Sequence, residues 1–281
     1  MPRVPHTLPP MLQLLDYTFF QYALAGVALL SICAAIIGTY IVTRRLVAIS
    51  GGVTHACFGG LGLGYFLGIS PVLMAAVFAI ASSLAVEGLS QRFRLREDSS
   101  IAVIWALGMA IGVFFVFITP GYVPELNTFL FGNLLTISEI DLLCFAGFAI
   151  LLIAFTARYY KLIIACSFDR DFARVCGLPV RFITYTMTVL VAVCIVLTIR
   201  MVGVMLLMSM FSLPIMTAEI FCRRYSSTML TAMGVSLATS LGGLLIGAAI
   251  DVPCSATIVL LMTAVFIIAK VADAFILRSH D

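Results

Sequence analysis

The chain has 281 residues, of which 63% are hydrophobic and only 10% charged, with a net charge of +3 and a mean hydropathy of +1.18. Soluble globular domains carry about 45–50% apolar and about 25% charged residues, so a water-soluble enzyme or binding module is excluded. Long apolar runs make the expected fold all-α, a polytopic transmembrane helical bundle.

The opening MPRVPHTLPPML carries four prolines and lacks the basic region that leads into a cleavable signal. The first apolar run is too long for a signal and reads as a retained span. About 20 apolar residues cross a bilayer core. On that measure the predicted spans are 17–43, 50–69, 71–90, 100–119, 139–160, 181–200, 202–221, 228–250 and 255–276. Nine is the expected count. Eight is the alternative if 181–221 is one span plus a broken or re-entrant one, with Pro214 as the natural break because proline removes a helix donor. No polar stretch is long enough to fold by itself, so residues 1–281 form one membrane domain.

Orientation follows from the positive-inside rule. With the N-terminus outside, nine spans put Arg44, Arg45, Arg92, Arg94, Arg96, Arg158, Lys161, Arg170, Arg174, Arg181, Arg223, Arg224, Lys270 and Arg278 on the cytoplasmic side. Only Arg3 and Arg200 fall outside. The C-terminus is then cytoplasmic, in a cell (inner) membrane.

His55 is the only histidine away from the chain ends and lies in the second span. An ionisable group inside a membrane is a functional candidate by default; the plainer reading is a structural histidine bonded to a neighbouring carbonyl. Glycines stand four apart at Gly60 and Gly64, Gly108 and Gly112, and Gly243 and Gly247, the spacing that lets helices approach closely. The cluster Gly59, Gly60, Gly62, Gly64 is denser than packing needs and suits a helix lining a narrow path. Glu87 is the best embedded acid, in span three. Asp98 and Glu219 lie near cytoplasmic ends, where caps or partner contacts explain them. Asp251, at the outer end of span eight, either receives a metal or caps the helix beginning near Pro253. Glu125 and Asp141 are outer-loop charges that could dock a binding protein or simply be solvated. His6 and His280 lie in the tails. The eight cysteines are scattered singly and form no zinc-ligand spacing.

The longest inward-facing stretch, 158–181, contains a cytoplasmic segment, 161–180, with a short helix. Ser167 or Asp169 is available as its N-cap, and Gly177 followed by Pro179 stops it. Asp169-x-x-x-Ala173-x-x-x-Gly177-Leu178 resembles the cytoplasmic signature loop of importer-type ABC permeases. RRLVAISGGVTHACFGGLGLGYFLG resembles the second span of the permeases for zinc, manganese and iron. So do Leu95 to Ala102, Leu130-Phe131-Gly132-Asn133, Val202 to Leu207 leading to Leu213-Pro214, and Asp251-Val252-Pro253, all in the family's order.

That resemblance implies a permease working as a homodimer, with a separate ATP-binding subunit and an extracytoplasmic metal-binding protein. Membrane lipid surrounds it, and no nucleic acid is involved. A divalent metal ion is then the substrate, zinc ahead of manganese and iron, and no cofactor is permanently bound. The resemblance makes Asp169, Ala173 and Gly177 the ATPase-coupling residues and His55 a metal ligand, either with the partner protomer's copy at the dimer axis or with acids elsewhere, for which Glu87 and Asp251 are the candidates by placement. Many family members carry an acid four residues before the matching histidine; here that position is Gly51. No nucleotide-binding GxxxxGK[ST] occurs, so ATP acts from another chain. An ion-gradient transporter would want several mid-membrane carboxylates, and an intramembrane enzyme a paired catalytic motif; neither pattern is present. A permease for a metal chelate or siderophore is the nearest rival within the importers.

Overall fold

The structure is a computed structural model that describes residues 17–93, 96–120, 132, 134 and 137–278. Arg3, His6, Arg94, Glu125, Asn133 and His280 lie outside the described residues. In chain order the helices are α1 Thr18–Thr43, α2 Val47–Leu67, α3 Pro71–Phe93, α4 Glu97–Ile118, α5 Glu139–Phe168, α6 Arg170–Val175, α7 Val180–Met210, α8 Leu213–Phe221, α9 Tyr225–Ile250 and α10 Cys254–Arg278. The all-helical reading of the sequence holds among the described residues, and the chain is a multi-pass membrane protein.

Eight stretches are long and apolar enough to cross a membrane, and the seventh and eighth elements share one of them, the 42 residues Val180–Phe221. Nine spans were expected, with 181–200 and 202–221 as separate spans and eight as the alternative, and the structure folds two legs out of this one apolar stretch. α7 runs antiparallel to α1: Cys194 reaches Cys33, and Met201 lies against Gly26. Were the helix to continue, Phe211 would pass beyond Thr18. It packs instead back at Gly38, where an added Cβ would lie 2.8 Å from its carbonyl oxygen.

The reversal occurs at Gly203, whose φ of 79° and ψ of 175° only glycine adopts without strain. Pro214 is not the break. It sits in the first turn of α8, where no backbone donor is missed. The return leg ends where Glu219, Cys222 and Arg223 line a cavity with Thr39, Thr43 and Arg45, so the first leg starts and the second finishes at the Arg44 end of the bundle.

Buried apolar side chains are concentrated on α1, α2 and α7, which form the centre. α4 lies outside them, with Val103, Leu107, Phe114 and Phe117 exposed. α2 owes its central place to small residues: its own glycines admit α3 on one side and α4 on the other.

Candidate functional site

α2 and α4 touch backbone to backbone. A side chain on Gly108 would strike the Cα of Ala56, and one on Gly62 would strike the carbonyl of Gly112. Gly60 lies against the backbone of Met74 and Ala75 in α3, Gly64 against Pro71, and Gly59 against the Phe78 ring and the Gly108 carbonyl. Packing therefore occupies Gly59, Gly60 and Gly64, which were expected to line a path or to pack. The neighbours in each case are protein atoms.

This contact sets Trp105 over His55. The two rings stack with centroids 4.5 Å apart and planes 7° from parallel, and Phe58 stacks at 5.9 Å. His55 is eight residues along α2, about 12 Å from its start at 1.5 Å per residue, so it is well inside the span. Its Nδ1 is buried and has no hydrogen-bond partner among the described residues. The plainer reading, a histidine tied to a carbonyl, has no support at that atom. One turn earlier, a Cβ on Gly51 would lie 2.8 Å from Met208 Cε, 3.7 Å from Met208 Sδ and 3.6 Å from Trp105. A methionine thioether and an indole thus fill the place where an acid would stand.

The other proposed ligands are not gathered around His55. Glu87 Oε1 is 3.1 Å from Arg170 Nη1 and Oε2 is 3.5 Å from Arg44 Nη2, which places this acid in an ionic cluster at the Arg44 end. Asp251 caps the far end of α9 in the left-handed conformation, φ 58°, with Val252 N–H donating to Gly247 O. Asp141, at that same far end, is paired with Arg200 at 2.9 Å. Among the described residues no group of three His, Cys, Asp or Glu side chains could hold a metal ion. One chain therefore offers His55 without a second side-chain ligand of the expected kind.

The segment between α5 and α7 is shorter and more tightly attached than its sequence suggests. α5 continues to Phe168, with a kink at Tyr159. Ser167 lies inside it and bonds Ile163 O at 2.6 Å, leaving Asp169 as the N-cap of α6. Asp169 Oδ1 accepts from Asp171 N at 3.0 Å and Phe172 N at 2.9 Å. Gly177 ends the turn with φ 74°, and Leu178 N–H donates to Ala173 O. Ala173 is fully buried against the chain itself, whereas Phe172 is 66% and Val175 87% exposed. The exposed apolar face of α6 is thus Phe172 with Val175, three residues apart, and Ala173 faces inward.

Sequence reasoning missed the cluster that holds this segment. Arg44 Nη2 and Arg170 Nη1 each lie 3.2 Å from Glu97 Oε1 as well as close to Glu87. Arg44 also donates to the Tyr40 hydroxyl at 2.6 Å. Burial works against the Arg44 charge, but Tyr40, Glu87 and Glu97 together hold its proton affinity above that of an ordinary arginine. The available signal was the orientation rule, which puts Arg44, Glu97 and Arg170 at one membrane face.

The many-spanning helical bundle, with an imidazole inside one span and the short helix α6, fits a membrane permease. The particular family is the ABC 3 transport family, whose profile matches residues 16–273, and the chain belongs to it. A protein of Chlamydia pneumoniae named as a probable metal transport system membrane protein is 34% identical over 238 residues, 83% of this chain and 81% of that one. A manganese transport system membrane protein of Halalkalibacterium halodurans is 28% identical over 257 residues, 92% and 88% of the two chains. In fold the chain is similar to PsaBC from Streptococcus pneumoniae, solved with a Fab, at a TM-score of 0.80 and 24% identity over 92% of this chain and 94% of that one. It is also similar to an inward-facing metal-chelate type ABC transporter, at 0.75 and 16% over 96% and 91%. The chain is therefore the membrane subunit of a metal-type ABC transporter, and a separate ATP-binding subunit hydrolyses the nucleotide.

Proposed function

We propose that this permease imports a divalent transition metal ion along a path that passes His55, with zinc ahead of manganese and iron. The observation that carries this is the His55 ring itself: stacked on Trp105 inside the span, with Nδ1 buried and unbonded among the described residues. A buried polar nitrogen costs free energy unless something pairs with it, and a passing cation supplies that partner without being held. Imidazole suits zinc and iron, while carboxylate and water suit manganese. With Gly51 in place of an acid and Met208 against it, the ligand set leans towards the softer ions.

The permease works as a homodimer, so that two copies of His55 face one path. The Arg44 end is cytoplasmic, in keeping with fourteen of the sixteen lysines and arginines, and a metal-binding protein docks at the Asp251 end. α6 is the coupling helix. Its exposed Phe172 and Val175 enter the ATP-binding subunit, Asp169 caps it, Ala173 anchors it inward, and Gly177 closes it. Metal content by mass spectrometry, in chelator-limited cells carrying His55→Ala, tests the reading. Uptake of one transition metal should fall at least tenfold with the protein still in the membrane. Unchanged metal content in such cells would overturn it.

A further inference from the structure

The charged cluster at the Arg44 end joins four elements that are far apart in sequence. Arg44 follows α1, Glu87 is on α3, Glu97 is the first residue of α4, and Arg170 is the first residue of α6. Its two halves differ. The Arg44 and Glu87 side chains are each 4% exposed, whereas Arg170 is 23% and Glu97 28% exposed.

Both arginines touch both carboxylates, and Arg44 also reaches Tyr40. The buried half therefore remains paired if Arg170 withdraws, and no carboxylate is stranded without a cation. Beside the cluster a cavity of about 490 Å³, lined by Thr43, Arg45, Ser167, Asp169 and Arg170 among others, leaves room for that side chain to swing. One half is fixed, then, and the other is removable, which is what a two-state contact requires.

We propose that Arg170 is a positioning residue for transport, a latch that ties α6 to α3 and α4 and passes movement of α6 into the path. This rests on the reading of α6 as the coupling helix. Engaged, Arg170 holds the first turn of α4 through Glu97. Eight residues on, about 12 Å along the same helix, α4 carries Trp105, the ring stacked on His55. When Arg170 withdraws, Glu97 is held by Arg44 alone, which loosens the start of α4 and lets the indole shift relative to the imidazole. Arg44 meanwhile keeps α1, α3 and α4 together, so the bundle stays folded through the cycle.

The test uses the complete transporter in lipid vesicles: this permease, its ATP-binding subunit and its binding protein, with zinc and separately manganese as the transported ion. ATP hydrolysis and metal uptake are measured together. Arg170→Ala should keep hydrolysis within about twofold of the parent while metal moved per ATP falls at least fivefold. Arg170→Lys should recover part of the loss, and the thermal midpoint of both variants should stay close to the parent. An unchanged metal-to-ATP ratio in Arg170→Ala would overturn the latch. If that variant inserts poorly, Arg170→Gln keeps much of the side chain, removes the charge, leaves the Arg44 pairs in place and is read the same way. Phe172→Asp separates the two ideas. Retention of the ATP-binding subunit and of its hydrolysis in that variant would remove the coupling role of α6 itself. Loss of the subunit there, with an unchanged ratio in Arg170→Ala, would remove only the latch.

Discussion

The molecule treats its ionisable groups in opposite ways at two depths. At the Arg44 end, two arginines and two glutamates satisfy one another within 3.5 Å, and the innermost pair is almost wholly enclosed. At mid-span, His55 lies between aromatic rings with one nitrogen unbonded among the described residues. Removing one partner from a buried ion pair strands the other, whereas removing an unpartnered group strands nothing. The first region is therefore built for integrity and the second for exchange with something that passes.

Glu87→Ala should break this contrast most severely. It leaves Arg44 enclosed with one carboxylate fewer, and loss of a buried partner costs about 3–5 kcal/mol. A clear drop in thermal midpoint in detergent is expected, with poor membrane yield. Gly51→Asp comes next. It puts an acid one turn from His55 but drives a side chain into Met208 Cε, and overpacking of this kind costs about 1–3 kcal/mol. Gly51→Asp with Met208→Ala should regain stability and shift uptake towards manganese, read by competition between zinc and manganese. The smallest structural effect belongs to His55→Ala, which loses only a stacked ring pair, about 1 kcal/mol. A thermal midpoint that fell as far as in Glu87→Ala would mean the imidazole is a structural member after all.

Much of the fold could be read from the residues because membrane spans are local features. Length and apolarity alone place α1 to α4, α9 and α10 within a few residues and the start of α5, which runs on to Phe168 past the expected end at 160, and Asp169 was available as a cap. The second half of 180–221 was harder. The expected boundary at 200–202 lies beside the observed turn at Gly203, while Pro214, the break in the eight-span alternative, is tolerated in a first turn. Glu87 was legible as an embedded acid but not as an ion-pair member, since its partners Arg44 and Arg170 are distant in sequence. Ala173 was legible only as part of a resemblance, and its inward orientation depends on how α6 lies on the bundle.

The bend at Gly203 also bears on how the chain is made. The leg after it runs only to Phe221 and is interrupted by the turn at 211–212, short of the about 20 continuous residues that hold a bilayer position unaided. It enters the membrane as the trailing arm of a hairpin, and its resting place is the groove of α1 where Phe211 and Ile215 meet Gly38. The Gly38 face of α1 therefore has no cover from this arm until a segment synthesised far later in the chain arrives.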